Sequence, residues 1–163
     1  MREVIEVRKT DLLDFLTKKG KILPDKIPSS ADAKTIKDTA KQLAQLVHEI
    51  CGDPNKALPI SNELSGKMSL SEIIEKGGAV CRHRSLLYQV LAYEIGLNVR
   101  TVKGSTNGGN HAWNEIILPS GEIMIVDNMN PERANPFSRT YKDLEGNVRY
   151  NPMPFVTFIG GVK

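Results

Sequence analysis

Cysteine is scarce in this chain, with two residues, Cys51 and Cys81, among 163. That is too few for a disulfide scaffold, and in a reducing compartment both stand as thiols. Long apolar runs are missing too: none approaches the roughly 18 residues that cross a bilayer. Met1 to Thr10 carries charges where a secretory signal has its apolar stretch, so a cytoplasmic address without membrane association is expected. Nor does one sign of charge dominate. Lys plus Arg is 22 against 19 for Asp plus Glu, a net charge of +3 without a basic block, which disfavours a nucleic-acid groove. There is no internal repeat and no low-complexity tract. What is present, 40% hydrophobic and 25% charged residues, is the balance of one ordinary globular fold. A chain of this size buries roughly 70% of its extended-state surface and needs no metal or disulfide staple.

The pattern of apolar residues predicts helices first (1–96), then a sheet (97–130), then an irregular proline-rich tail (131–163), an α+β order in a single domain, alone or within a larger protein. Thr10 is expected to cap a short helix carrying Leu12, Leu13, Phe15 and Leu16, with Gly20 past its end. After a connector from Lys21 to Ala31, the segment Asp32 to Cys51 spaces Ile36, Ala40, Leu43, Val47 and Ile50 three or four apart, a long amphipathic helix. Ser69 and Glu72 form a capping box for a short helix ending at Gly77-Gly78. Cys81 to Ile95 is apolar on most sides and is expected to be a mostly buried helix stopped by Gly96. Beyond it the period shifts to two, giving strands at Val99 to Lys103, His111 to Leu118 and Glu122 to Asp127, with Pro119-Ser120-Gly121 as a turn. The prolines from Pro131 to Pro154 interrupt regular structure until a final strand at Phe155 to Ile159.

Chemistry concentrates at Cys81. A Gly-Gly turn delivers it to the first turn of a helix, where unpaired amides and the helix dipole favour an anion and so lower a thiol pKa. Arg82, His83 and Arg84 add positive potential nearby, although charged residues on outer helical turns are usually solvated. Ser85, Tyr88 and Ala92 share the face of Cys81 and are candidates for a cleft floor. Cys51, at the end of an amphipathic helix without such surroundings, is expected in the core. If the hairpin turn has three residues, Leu118 pairs with Glu122, Trp113 lies opposite Asp127, and His111 lies diagonal to Asp127 on the same face, ~7–8 Å away between backbones. A two-residue turn would put them on opposite faces. Thiol, imidazole and carboxylate are the three groups that a nucleophilic acyl-transfer site needs. Cys81 would attack an amide carbonyl, His111 would carry the proton, and Asp127 would hold the imidazole in the useful tautomer. The Cys81 amide is one oxyanion donor, and Asn62 and Asn110 are candidates for a second. Trp113 is a candidate to shield the pair or to meet substrate. The Gly104 to Asn110 segment is either a flap beside His111 or a plain hairpin connection.

The runs Gly78-Ala79-Val80-Cys81, Leu87 to Gly96, Val99 to Gly104, His111-Ala112-Trp113 and Val126-Asp127 resemble, in that order, the transglutaminase-like core. Within it, Cys81-Arg82-His83-Arg84-Ser85-Leu86-Leu87 looks especially like the branch found in plant disease-resistance kinase regulatory regions. The resemblance covers Ser69 to Pro131. It implies a papain-like arrangement, with a Cys81 helix packed on an antiparallel sheet carrying His111 and Asp127, acting through a thioester on a protein or peptide substrate. Protease, glutamine deamidase and transglutaminase reactions all occur in that family. The sequence departs from it at Ile123-Met124-Ile125, where a tryptophan is usual before the aspartate. No acidic calcium loop is present, and no cofactor is implied. Two other classes compete: an interaction domain that keeps the fold without catalysis, and a zinc module built on Cys81, His83, His111 and Asp127, disfavoured because helical neighbours two apart face different ways.

Overall fold

The structure, a computed structural model, describes residues 4–57, 67–106, 109–129, 135–137 and 150–158. Its helices are α1 (Lys9–Lys18), α2 (Ala33–Cys51), α3 (Leu70–Glu75) and α4 (Cys81–Glu94), and its strands β1 (Val4–Glu6), β2 (Lys67–Ser69), β3 (Val99–Thr106), β4 (Gly109–Ile117), β5 (Ile123–Val126), β6 (Asn135–Phe137) and β7 (Asn151–Phe158). The α+β class holds. Strands β3 to β7 make one antiparallel sheet in the order β6-β5-β4-β3-β7, while β1 and β2 form a separate parallel pair. Among the described residues no helix is long and apolar enough to cross a membrane.

Helix boundaries follow local chemistry with one exception. The Asp32 carboxylate accepts from the Thr35 amide at 2.8 Å and starts α2, and Ser69 Oγ accepts from the Glu72 amide at 3.2 Å to start α3. Helix α1, by contrast, begins one residue before Thr10, with Arg8 in extended conformation at the cap position and no side-chain cap. The chain leaves β1 already extended, so strand pairing rather than a threonine hydroxyl sets where this helix opens. Gly77, at φ 73, turns the chain out of α3, and the Gly78 amide bonds back to the Ile73 carbonyl at 3.1 Å, which directs the next residues toward Cys81.

Nine of the fourteen residues of α4 are buried because the helix is covered on two sides. Toward α2, Tyr88 donates its hydroxyl to the Ala40 carbonyl at 2.8 Å, and Leu87 and Leu91 join Leu43 and Val47 in one apolar core. Toward the sheet the same core takes in Ile116, Met124 and Val126. Burying a leucine of this kind is worth roughly 1.5–3 kcal/mol. Tyr88 and Ala92 are thus core residues, and the cleft-floor expectation for that face fails because α2 packs against it.

The hairpin register is the one a three-residue turn requires. Ile117 pairs with Ile123, Asn114 with Val126, and the Leu118 amide bonds to the Glu122 carbonyl at 2.9 Å. On the sheet face away from α4, Val102, Trp113, Ile125 and Tyr150 form a second, smaller core. The final strand is longer than its apolar run suggests, since β7 starts at Asn151 and pairs with β3, while β6 takes the opposite edge around Pro136. Both are edge strands, where a proline's missing amide costs no ladder bond. At Gly104 a side chain has no room: a Cβ would overlap the Asn151 carbonyl oxygen and stand 2.7 Å from the Trp113 ring. Gly104→Ala is therefore expected to destabilise the protein by about 1–3 kcal/mol, measured by urea unfolding, through displacement of β7 or Trp113.

Candidate active site

Val80, extended and without a side-chain cap, precedes Cys81 in the first position of α4. The cap is closed from inside the helix, since His83 Nδ1 accepts from the Val80 amide at 3.1 Å. His83 and Arg84 are both buried, contrary to the solvated reading. Arg84 spends its guanidinium on the Ala79 carbonyl at 2.9 Å and the Cys51 carbonyl at 3.2 Å, bracing the turn that leads into α4. Only Arg82 of the three is exposed. Among the described residues no group of three or more His, Cys, Asp or Glu side chains is arranged to hold a metal ion.

The structure brings Cys81, His111 and Asp127 together from the helix start, from β4 and from the residue after β5. His111 Nε2 lies 3.0 Å from Asp127 Oδ2, and the Cys81 thiol stands close enough to His111 for each to favour the other's charged form. With Nε2 engaged by the carboxylate, Nδ1 is the ring nitrogen left for the thiol, the tautomer that a base acting on sulfur requires. Burial by itself favours the neutral thiol. The closeness and charge of His111, with backbone hydrogen bonds from Ala112 and Arg82, outweigh it and hold the Cys81 pKa below its ordinary value. Burial likewise favours a neutral imidazole, yet Asp127 and Cys81 push His111 up to about 9. For Asp127 burial acts upward, and His111, Tyr150 and the Met129 amide overcome it, so the carboxyl is held down. The directions agree with a thiolate-imidazolium pair backed by a carboxylate. Cys51 is the contrast: buried at the end of α2, its thiol is pushed up to about 11 by burial, against a smaller downward pull from Arg84.

Other candidates separate by exposure. Asn110 is exposed at the start of β4, and Asn62 lies outside the described residues. Trp113 has no exposed surface to offer a substrate; its ring stands behind the imidazole, with centroids 6.2 Å apart and planes inclined by 26°. The indole is pinned by its own bond from Nε1 to Glu115 Oε2 at 3.1 Å, and Glu115 Oε1 is paired with Arg100 Nη2 at 2.7 Å. Gly104 to Thr106 pairs with Gly109 to His111, which places this part of the chain in a hairpin.

Several residues that sequence reasoning passed over hold the site. Asn114 Nδ2 donates to the Ser85 carbonyl at 3.0 Å and to Thr101 Oγ1 at 3.1 Å, Thr101 reaches Gln89 Oε1 at 3.1 Å, and Asn128 Nδ2 donates to Asn114 Oδ1 at 2.7 Å. This buried polar ladder ties α4 to β3, β4 and the residue beside Asp127. Its signal in the sequence is an asparagine on the face of β4 otherwise lined by Ala112 and Ile116. Tyr150, whose hydroxyl lies 2.8 Å from Asp127 Oδ2, was unreadable from its proline-rich surroundings.

A helix that presents a partly exposed cysteine to a histidine on an antiparallel sheet, with an aspartate just past the neighbouring strand, defines an α+β domain with one thiol-imidazole-carboxylate cluster. The family described as EDR1/CTR1/ARMC3, peptidase-like, matches residues 9–131, and the chain belongs to it. Among curated proteins and solved structures none matches. The matched span takes in Cys81, His111 and Asp127 and stops short of Tyr150.

The two thiols are expected to part company on alkylation. With iodoacetamide followed across pH and mapped by mass spectrometry, Cys81 reacts with an apparent pKa below the free value of roughly 8.5, while Cys51 stays unmodified in the folded protein. Equal rates at both would contradict the electrostatics described here.

Proposed function

We propose that this domain is a transglutaminase-like, cysteine-dependent amide hydrolase or acyltransferase acting on a protein or peptide through a thioester. The observation that carries this reading is the convergence on one imidazole of a helix-terminal thiol and a buried carboxylate, the latter at 3.0 Å. The peptidase-like description of the family supports the same chemistry.

In this mechanism the Cys81 thiolate attacks the amide carbonyl carbon, and the resulting oxyanion takes hydrogen bonds from the backbone at the helix start. Collapse of the adduct breaks the carbon-nitrogen bond as the His111 imidazolium gives its proton to the leaving amine. The thioester then accepts water or an amine whose proton passes to the neutral imidazole, and expulsion of the thiolate restores the ion pair. Asp127 holds the ring through Nε2 and favours the imidazolium without changing its own protonation. Water gives hydrolysis or deamidation, and an amine gives transfer.

Cys81→Ala and His111→Ala are expected to abolish a thioester trapped with glutamine-bearing or peptide-bond substrates, lowering turnover by ~10³-fold or more, while circular dichroism stays that of the parent. Ammonia release measured against chain cleavage distinguishes deamidation from proteolysis. The pH dependence has a definite sign. Activity rises as Cys81 ionises below the ordinary thiol value and falls as pH passes about 9, where His111 loses the proton it must donate. A rate that keeps climbing past that point would remove the imidazolium from the mechanism.

A further inference from the structure

The segment after the family's matched span places a buried tyrosine on the carboxylate of the site. Tyr150 is 1% exposed and donates its hydroxyl to Asp127 Oδ2 at 2.8 Å, the same oxygen that faces His111 Nε2 at 3.0 Å. Asp127 Oδ1 accepts from the Met129 amide at 3.0 Å. The carboxylate is thereby held at both oxygens, and rotation about its terminal bond would break a hydrogen bond on each side. The tyrosine itself has little freedom. Its ring meets Trp113 edge-on at 5.1 Å and lies 6.5 Å from His111, and the next residue, Asn151, pairs with Ser105 as β7 joins the sheet. That approach is close because Gly104 presents no side chain to the Asn151 carbonyl.

The chemical character of the donor matters. A lysine or arginine in this place would neutralise the carboxylate and cancel the field that keeps His111 protonated. A phenol hydroxyl fixes direction while leaving the full negative charge in place. We propose that Tyr150 is a positioning residue of the active site: it locks Asp127 toward His111, so that β7, beyond the family's matched span, completes the catalytic apparatus. This rests on the acyl-transfer reading above. The hydroxyl also draws electron density from the carboxylate, which by itself would weaken the bond to His111; the proposal is that orientation outweighs this, which gives the substitution a definite sign.

Tyr150→Phe keeps the ring and its contacts with Trp113 and removes the hydroxyl that donates to Asp127. In the full 163-residue chain, the pH profile of Cys81 alkylation by iodoacetamide is measured for the parent, Tyr150→Phe, Asp127→Asn and the double variant. With Asp127 free to turn, the imidazolium is less favoured, so Tyr150→Phe moves the thiol inflection to higher pH by the equivalent of ~3-fold or more in proton affinity. It also lowers kcat with KM unchanged. In the Asp127→Asn background the same substitution adds nothing, because the tyrosine acts through that carboxylate. A Tyr150→Phe profile superimposed on the parent, or shifted to lower pH, overturns the assignment, as does an equal further loss in the Asp127→Asn background. A parent thiol that titrates at its ordinary value sinks the acyl-transfer reading and this one with it, whereas a low-titrating parent thiol indifferent to Tyr150→Phe removes Tyr150 alone.

Discussion

The contact between the first turns of α4 and strand β4 is the constraint on which the site depends. A thiol at the start of a helix is only a mildly activated group; it becomes a partner for an imidazole when the helix is set against the sheet at one height and one angle. The bonds from Asn114 to the Ser85 carbonyl and to Thr101, with Asn128 behind them, define that setting. Such bonds are directional where apolar packing is not. The surrounding leucines and isoleucines supply most of the cohesion but would tolerate a sliding helix, whereas an asparagine buried in the interface penalises any position that leaves its amide unpaired.

Charge is handled with the same economy. Burial works against every ionised member of the trio, raising the carboxyl and thiol and lowering the imidazole. Each is shifted back toward its charged form by its neighbours, His111 acting on both the thiol and the carboxyl and these two on His111, so the three titrations are interdependent. Cys51 shows what happens without that help: at the end of α2, it has a guanidinium nearby and is still driven far up by burial. One fold thus contains a thiol whose pKa is held down and another whose pKa is driven up, and the difference lies in neighbours as well as in burial.

The aromatic layer on the far side of the sheet has a role beyond cohesion. Trp113, held by Glu115 and Arg100, backs the imidazole, and Tyr150 stands edge-on to that indole. The side chains that alternate along β4 therefore divide their work: Asn114 and Ile116 dock the helix, while His111, Trp113 and Glu115 form the candidate site and its support.

Much of this was legible in the residues themselves. The capping serine, the glycine stops, the odd-length Pro119-Ser120-Gly121 turn and the alternation that puts His111 and Asp127 on one face are local facts, decided within a few residues by backbone sterics and hydrogen bonding. The parallel pairing of β1 with β2, the burial of His83 and Arg84, the polar ladder through Asn114 and the arrival of Tyr150 at Asp127 were not. Each joins segments far apart in the chain, and no periodicity encodes a partner at such distance. Sequence alone determined which groups are chemically competent and which way they face along their own elements. Tertiary structure decided which of them meet, because that outcome belongs to packing between elements, where the best-filled and best-bonded arrangement of the whole chain prevails over any local preference.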